Sequence, residues 1–223
     1  MLTLSIDTST NILSLALVQD GGVLVCFDEP TKNNQSAILM PRIETLLKSK
    51  DFGATDLTSI AVAIGPGSYT GIRVGVTAAK SLGYALSIPV AGVSSLAVMA
   101  QASGVDTGVI VPMIDARRGT VFAGAYDCNG AVLVSDGHYD LDDLLSQLDF
   151  SNDQVTFIGD VAALYQEKLR EQAKNVLVVA ENRFSQSKAE ALAKLASNGS
   201  SPKNIHELVP NYLRKTEAEL NLE

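Results

Sequence analysis

The stretch best suited to contact a ligand runs from Ile64 to Gly75 and reads IGPGSYTGIRVG. It follows an apolar run typical of a buried strand, Ser59–Ile64, and leads into Ile72–Leu86, where apolar residues recur at helical spacing. Glycines in such a turn permit positive φ and close approach of other atoms, and Ser68 or Thr70 can cap the helix. Exposed N–H groups at a helix start bind anions, so one hypothesis for this stretch is a phosphate loop.

The glycine spacing excludes both common phosphate-binding motifs. A P-loop requires Gly, four residues and then Gly-Lys-Ser/Thr, but Gly71 is followed by Ile72. A dinucleotide fingerprint requires Gly-x-Gly-x-x-Gly, and the third glycine stands one residue too far along. Two interpretations stay open: a structural turn that sets how the helix packs, or a turn that touches a ligand. The second predicts contacts from Gly65, Gly67, Ser68, Thr70 and Arg73.

Length and composition limit the classes of protein that remain. The chain has 223 residues, 46% of them hydrophobic, which is enough for one large domain or two small ones. A net charge of −8 argues against this chain alone binding a nucleic-acid backbone. No apolar run approaches the roughly 20 residues of a membrane span, and the first strand starts at once without a charged signal region. We therefore expect a cytoplasmic protein with no membrane association.

The chain contains the same pattern twice. Strand-like segments at 2–7, 12–18 and 23–27 form one predicted meander, with a turn at Asp20-Gly21-Gly22. A shift of 108 residues places Ile6-Asp7 on Ile114-Asp115 and the first meander on a second one without a gap. The second meander comprises Val109–Ile114, Thr120–Tyr126 and Ala131–Val134.

A helix, a strand and a helix follow each predicted meander. The first set lies at about 34–49, 59–64 and 71–86, and the second at 140–148, 154–158 and 161–173. Further strands are predicted at 90–93 and 176–179, and a further helix at 187–197. The sequence thus predicts an α/β protein of two β-β-β-α-β-α units with mixed sheets, divided into domains at 1–104 and 105–223. Asp7 and Asp115 end the first strand of each unit and are expected to point into the cleft between them, with Thr8 and Ser9 beside Asp7.

Local motifs carry a family resemblance. The duplicated pattern with IDTST at its first strand resembles the actin/hexokinase superfamily of nucleotide-binding proteins, whose domains are ribonuclease H-like. Three segments together are similar to the TsaB (YeaZ) family: IGPGSYTGIRVG, IDARRGTVFAG from Ile114 to Gly124, and PNYLR from Pro210 to Arg214. In PNYLR, Tyr212 and Arg214 are expected to tie the C-terminal segment onto the body of the protein.

This resemblance implies a non-catalytic subunit of a bacterial complex. That complex transfers threonylcarbamoyl from threonylcarbamoyl-AMP to N6 of adenosine 37 in tRNAs that read ANN codons. TsaB-like proteins scaffold and activate the paralogous catalytic subunit TsaD, and they reach the ATPase TsaE and the tRNA through the complex. In isolation we expect a homodimer. The resemblance implies no required cofactor and no metal, and we expect at most weak binding of ATP or ADP.

The sequence departs from the family pattern in two places. The first helix usually starts with a His-Ser-Glu-like sequence, but this chain reads Gln35-Ser36-Ala37. Catalytic relatives place two histidines four residues apart in this helix to bind a metal, whereas His138 and His206 lie elsewhere. Gly159-Asp160-Val161 stands where the family often has Gly-Asp-Gly, which puts an adenosine contact there in doubt.

The predicted partner surface lies on the helices at about 34–49 and 71–86. On the second helix, small residues recur every fourth position from Gly71 to Gly83 and form a ridge that packs either on its own sheet or on a partner helix. On the first helix, Ile38 and Met40 broaden an apolar stripe beyond one face. The predicted interface residues are Ile38, Leu39, Met40, Ile43, Leu46, Leu47, Gly75, Ala78, Ala79, Leu82 and Gly83.

Other functions remain as alternatives. An autonomous ATP-dependent kinase or acyltransferase would use Asp7 and Asp115 on metal and phosphate. Asp7-Thr8-Ser9 suits such a turn better than the second unit does, where Arg117 and Arg118 replace small hydroxyl residues. These arginines are either a solvated hairpin tip or a contact to a partner or RNA. A peptidase has no support, because neither the histidines nor the cysteines lie in a nucleophile motif.

Overall fold

The computed structural model describes residues 1–31, 34–150, 154–172, 175–180, 183–198 and 205–214. Within these ranges the chain forms two five-stranded sheets with helices against them. The first half comprises β1 (Leu2–Asp7), β2 (Ile12–Gln19), β3 (Gly22–Pro30), α1 (Gln35–Lys48), β4 (Ser59–Gly65), α2 (Tyr69–Leu86), β5 (Val90–Ser94) and α3 (Ser95–Ser103). The second comprises β6 (Val109–Asp115), β7 (Thr120–Asp127), β8 (Val132–Asp140), α4 (Leu141–Ser146), β9 (Val155–Ile158), α5 (Asp160–Leu164), α6 (Gln166–Gln172), β10 (Val176–Val179) and α7 (Lys188–Asn198).

The two sheets have the same topology, which confirms the predicted duplication. The strand orders are β3-β2-β1-β4-β5 and β8-β7-β6-β9-β10. In both, the meander strands pair antiparallel, and the next two strands join parallel to the first. Parallel neighbours need a crossover connection, which helices supply here. The mixed-sheet α/β prediction is therefore correct.

Strand β1, LTLSID, is buried on both faces although its side chains alternate between apolar and polar. Leu2, Leu4 and Ile6 point to one face and pack in the core beneath α1 and α2. Thr3, Ser5 and Asp7 point to the other face because side chains alternate along a strand, yet they too are at most 9% exposed. The polar face of this strand is therefore covered, not solvated.

Helix α7 is what covers that face. It packs across β1 and β2, and its small residues Ala189, Ala191 and Ala193 let it lie close to the sheet. The predicted boundary at residue 104 assigns α7 to the second domain, whereas its contacts are with the first sheet. The C-terminal part of the chain thus completes the first half.

Helix α3 was not predicted from the sequence. Ser94 caps it through bonds from Leu96 N and Ala97 N to its Oγ. Residues of α3 join two cores, Val98 and Ala102 with the first sheet and α7, and Leu96 and Met99 with the second sheet. A helix buried on nearly all sides lacks the amphipathic period on which prediction relies. Strands β3 and β8 are also longer than predicted, and a break at Tyr165 divides the helix predicted at 161–173 into α5 and α6.

No helix in the part of the chain that the structure describes is both long enough and apolar enough to span a membrane. The two cysteines, Cys26 and Cys128, are exposed and unpaired as thiols.

Candidate functional sites: a cleft between the halves and a groove on two helices

A cleft with a volume of about 700 Å³ lies between the two halves. The first half contributes side chains from the loop after β1 and from the glycine-rich segment, and the second half contributes the tip of the β6–β7 hairpin. The predicted cleft contacts that line it are Ser9, Gly67, Ser68, Thr70 and Asp115. Its rim also carries Arg117, Arg118 and Arg214.

Asp7 does not reach this cleft. Its side chain has no exposed surface, and its Oδ1 accepts hydrogen bonds from the Ser9 amide at 2.8 Å and the Ser9 hydroxyl at 2.6 Å. The ammonium of Lys188 lies 3.6 Å from Asp7 Oδ2 and donates to Thr10 Oγ1 at 2.6 Å. The expectation that Asp7 points into the cleft is therefore wrong. Its carboxylate faces the interior, where α7 places the buried ammonium of Lys188 beside it.

Thr8 and Gly65 also face the protein interior. Thr8 is buried, and its hydroxyl donates to the carbonyl of Gly71 at 2.7 Å. A Cβ on Gly65 would stand 2.8 Å from the carbonyl oxygen of Asn211, so the C-terminal segment covers this glycine. Neither residue lines the cleft, in contrast to their prediction as contacts.

The glycines of the central stretch let the loop after β1 approach α2. A Cβ on Gly67 would lie 2.3 Å from the Ser9 carbonyl oxygen, and one on Gly71 would lie 2.1 Å from that of Thr8. The Ser68 amide donates to the Ser9 carbonyl at 2.7 Å. Ser68 Oγ accepts from the Gly71 amide at 3.3 Å, which confirms the predicted helix cap. Close packing of the chain thus explains why glycine stands at positions 67 and 71. Ser68 and Thr70, which lie between these two glycines, line the cleft.

The C-terminal segment 205–214 lies along the first half and ends at the cleft. The Asn211 amide donates to the Ile64 carbonyl at 2.7 Å, and the Tyr212 ring stacks on Tyr69 with centroids 4.8 Å apart. The Arg214 guanidinium donates to the Ala116 carbonyl in the second half. These contacts confirm that Tyr212 and Arg214 tie this segment to the body.

The β6–β7 hairpin tip holds two arginines in an unusual backbone conformation. Arg117 and Arg118 have φ of 71° and 55°, and the following Gly119 has φ of 81°. The left-handed region costs an L-residue roughly 1–2 kcal/mol. Both arginines are exposed, whereas Ala116 is buried. The tip thus presents two cations at some cost in backbone energy.

A polar network links the two halves through Ser94, Tyr126 and Asp136. Asp136 on β8 accepts hydrogen bonds from the hydroxyls of Ser94, which caps α3, and of Tyr126 on β7. Burial of Tyr126, together with the nearby Asp136 carboxylate, raises the pKa of the phenol well above its ordinary value. The network therefore holds a protonated phenol at the junction.

A second cavity, of about 710 Å³, is a groove between α1 and α2. Its walls are mostly apolar, with Leu39 and Met40 from α1 and Val74, Ala78 and Leu82 from α2. Met40 is 47% exposed. Arg73 lines this groove and not the cleft, and its guanidinium donates to the Tyr69 hydroxyl at 3.1 Å.

The other predicted interface residues lie beneath this groove. Ile43, Leu46 and Leu47 are at most 6% exposed and belong to the first core, and Ile38 packs against that core. A Cβ on Gly75 would lie 2.3 Å from Thr8 Oγ1. The ridge formed by Gly75, Ala79 and Gly83 therefore faces its own sheet, because close packing of α2 on β1 and β5 requires small residues there.

Metal ligands do not cluster in the described ranges: no group of three or more His, Cys, Asp or Glu side chains there is placed to hold an ion. His138 lies 2.7 Å from Thr120 Oγ1, and His206 lies beside Tyr84, so the two histidines occupy separate surfaces.

Comparisons with known proteins agree with this architecture. The protein-family model described as TsaD, tRNA N6-adenosine threonylcarbamoyltransferase, matches residues 15–222. The tRNA threonylcarbamoyladenosine biosynthesis protein TsaB of Bacillus subtilis is 36% identical over 98% of this chain and 96% of its own length.

Solved structures show the same fold. A Pseudomonas aeruginosa protein described as uncharacterized and similar to peptidase YeaZ superposes with a TM-score of 0.81, at 26% identity, over 96% of this chain and 99% of the other. The activator of 2-hydroxyisocaproyl-CoA dehydratase from Clostridium difficile, with bound ADPNP, shares the fold at 11% identity and a TM-score of 0.52, over 89% of this chain and 95% of the other. With its duplicated actin/hexokinase-like architecture and its sequence match along nearly the whole length, the chain belongs to the TsaB (YeaZ) family of tRNA threonylcarbamoyladenosine biosynthesis proteins.

Proposed function

We propose that this chain is a non-catalytic subunit of the complex that transfers threonylcarbamoyl to N6 of adenosine 37 in tRNAs reading ANN codons. It acts by dimerising with the catalytic subunit TsaD. The observation that carries the proposal is the apolar groove between α1 and α2 in a chain of this family.

The groove suits a helix from a partner. Met40 stands at its edge with nearly half its surface exposed, and Val74, Ala78 and Leu82 form a wall of small and medium apolar side chains. An amphipathic helix binds such a groove through residues spaced three and four apart. An exposed, contiguous apolar patch of this kind marks a site of protein–protein interaction.

A paralogous partner can offer the same two helices in return. The family model named for TsaD matches this chain along residues 15–222, so the two kinds of chain share one fold. Two such surfaces can pair about an approximate two-fold axis, and two copies of this chain can pair by the same rule in the absence of TsaD. TsaE and tRNA then join through the complex.

The surroundings of Asp7 support the non-catalytic role. An independent kinase or acyltransferase would need this carboxylate open toward the cleft, to bind a metal ion beside phosphate. Here the carboxylate is turned inward and paired with the buried ammonium of Lys188. For the same reason we expect only weak ATP or ADP binding by the isolated chain.

Paired substitutions on α2 test the proposal. Ala78→Glu puts a carboxylate into the groove wall, whereas Ala85→Glu makes the same change at an exposed position of α2 outside the groove. An unpaired charge buried in an interface costs several kcal/mol, so Ala78→Glu should weaken binding to TsaD by roughly 100-fold or more. Both variants should keep the wild-type circular dichroism spectrum, and Ala85→Glu should bind normally.

Calorimetry or gel filtration measures the association with TsaD, and an assay with threonylcarbamoyl-AMP and tRNA measures activity. If folded Ala78→Glu binds TsaD as tightly as wild type, the interface lies elsewhere. If the isolated wild-type chain modifies adenosine above background, the non-catalytic assignment is wrong.

A further inference from the structure

We propose that the β6–β7 hairpin tip contacts the phosphate backbone of tRNA in the assembled complex. This basic rim, defined as Arg117, Arg118 and Arg214, would be a contact made by this chain itself, and its assignment to tRNA rests on the proposed function. The proposal is argued from the backbone conformation of the tip, the open space around Gly119 and the charge of the rim.

The backbone at the tip is not one that arginine favours. A left-handed pair in a tight hairpin is most readily formed by Asn-Gly or Gly-Gly, yet Arg117 and Arg118 adopt it at φ of 71° and 55°. Strained backbone of this kind persists at functional positions, where the side chain is needed for another purpose. The conformation of the turn therefore does not account for arginine at positions 117 and 118, and we attribute these residues to a function of their side chains.

Arg117 takes part in the hairpin hydrogen bonds through its backbone amide and carbonyl. The amide and hydroxyl of Thr120 donate to the Arg117 carbonyl at 3.1 Å and 2.8 Å, and the Arg117 amide donates to Asp115 Oδ1 at 2.8 Å. The Ala116 amide also donates to the Thr120 carbonyl at 3.1 Å. The turn therefore needs from Arg117 only its backbone groups, and a smaller residue could supply these.

The equivalent loop of the first half shows a different arrangement. Shifted by the repeat, Arg117 corresponds to Ser9, and Ser9 lies against the start of α2 through the bond from the Ser68 amide to its carbonyl. In the second half, a Cβ on Gly119 would meet nothing within 4 Å, so the tip projects without a helix packed on it. One loop of the duplicated pair is thus committed to the fold, and the other is open to a ligand.

The basic rim concentrates positive charge on a chain that is acidic overall, which makes it suitable for binding a polyanion. The chain as a whole carries a net charge of −8, which repels nucleic acid. Arg214 donates to the Ala116 carbonyl, so a third guanidinium lies next to the tip, and these cations line the same cleft mouth. Asp115 and Asp160 line the same cleft.

An RNA backbone fits this rim better than a single nucleotide does. Guanidinium groups bind phosphate oxygens in pairs, and successive phosphates along a strand can engage adjacent arginines. Arg117 and Arg118 are exposed at the outer edge, where a strand can pass, while a lone nucleotide would require buried contacts deeper in the cleft.

A double substitution with asparagine provides a sharp test. In Arg117→Asn/Arg118→Asn both charges are lost, but asparagine tolerates the left-handed region, so the turn should become more stable. We expect the melting temperature to rise by about 2–4 °C. We expect the affinity of the TsaD complex for an unmodified tRNA transcript to fall roughly tenfold or more, because charged hydrogen bonds to phosphate are lost. The slope of log affinity against log salt should become shallower by about 1–2.

Arg170→Asn is the matched control. This exposed arginine lies on α6 outside the cleft, and its replacement should leave tRNA affinity and salt slope unchanged. Binding is measured by filter retention of labelled tRNA at several salt concentrations, and association with TsaD is measured on the same preparations.

The inference is overturned if the double variant binds tRNA with wild-type affinity and slope. It is also overturned if the variant loses ATP binding alone, which would assign the rim to a small nucleotide, or loses TsaD, which would assign it to a protein contact. The two proposals can fail separately. If the double variant keeps wild-type tRNA affinity while Ala78→Glu loses TsaD binding as expected, this inference is refuted and the proposed function stands.

Discussion

Removal of the Lys188 ammonium should be among the most damaging single changes in this chain. Lys188→Met keeps the length and apolar character of the side chain but leaves the Asp7 carboxylate buried without its cation, which lies 3.6 Å away in the wild type. Breaking one partner of a buried pair costs about 3–5 kcal/mol. Asp7 keeps its bonds from the Ser9 amide and hydroxyl, so we expect the lower end of that range. This corresponds to a fall in melting temperature of about 6–12 °C for a chain of this size.

Urea and thermal unfolding at neutral pH measure the loss. The double variant Lys188→Met/Asp7→Asn has no unpaired charge, so its loss should be smaller than the sum of the two single losses by at least about 1 kcal/mol. Lys194→Met is the control, because Lys194 is a half-exposed lysine on the same helix and pairs with Glu190 near solvent. Its effect should stay within about 0.5 kcal/mol. A loss below about 1 kcal/mol for Lys188→Met, or additive single effects, would refute the idea that this pair holds α7 on the first sheet.

Two further predictions concern packing and pH. Gly75→Ala should destabilise by about 1–3 kcal/mol, although alanine favours helix, because its Cβ would lie 2.3 Å from Thr8 Oγ1. Gly53→Ala, whose Cβ meets atoms no closer than 3.7 Å, serves as the control in urea unfolding, and a stabilised Gly75→Ala would contradict the packing described. Burial raises the pKa of Tyr126, so the folded state keeps the phenol proton at alkaline pH where the unfolded chain loses it. The resulting stability is complete below about pH 10 and declines above it, and Tyr126→Phe should flatten that decline in urea titrations between roughly pH 8 and 11. An equally steep decline in the variant would exclude Tyr126 as its source.

The duplicated topology could be predicted from the sequence because it depends on local signals. Alternation in the meander strands, the turn at Asp20-Gly21-Gly22 and the repeat of the pattern after 108 residues each act over a few neighbouring positions. Their combination specifies two similar sheets before any contact between them is known, and the observed strand orders agree.

Elements without a local signal could not be predicted. Helix α3 is buried between both halves, so it shows no apolar face distinct from a polar one. The ridge from Gly71 to Gly83 showed close packing but not its direction, since a sheet beneath the helix and a partner helix both require small residues. Only the closeness of Gly75 to Thr8 and of Gly83 to Val90 resolves that ambiguity.

The sequence by itself determined the fold class, the family motifs and the cap that starts α2, because each rests on residues close together in the chain. Tertiary structure alone decided that α7 crosses to the first sheet and that Lys188 pairs with Asp7, 181 positions apart. It likewise decided which apolar residues of α1 and α2 remain at the surface. Burial and charge pairing depend on which distant segments meet in space, and that information is not present in the spacing of residues along any one element.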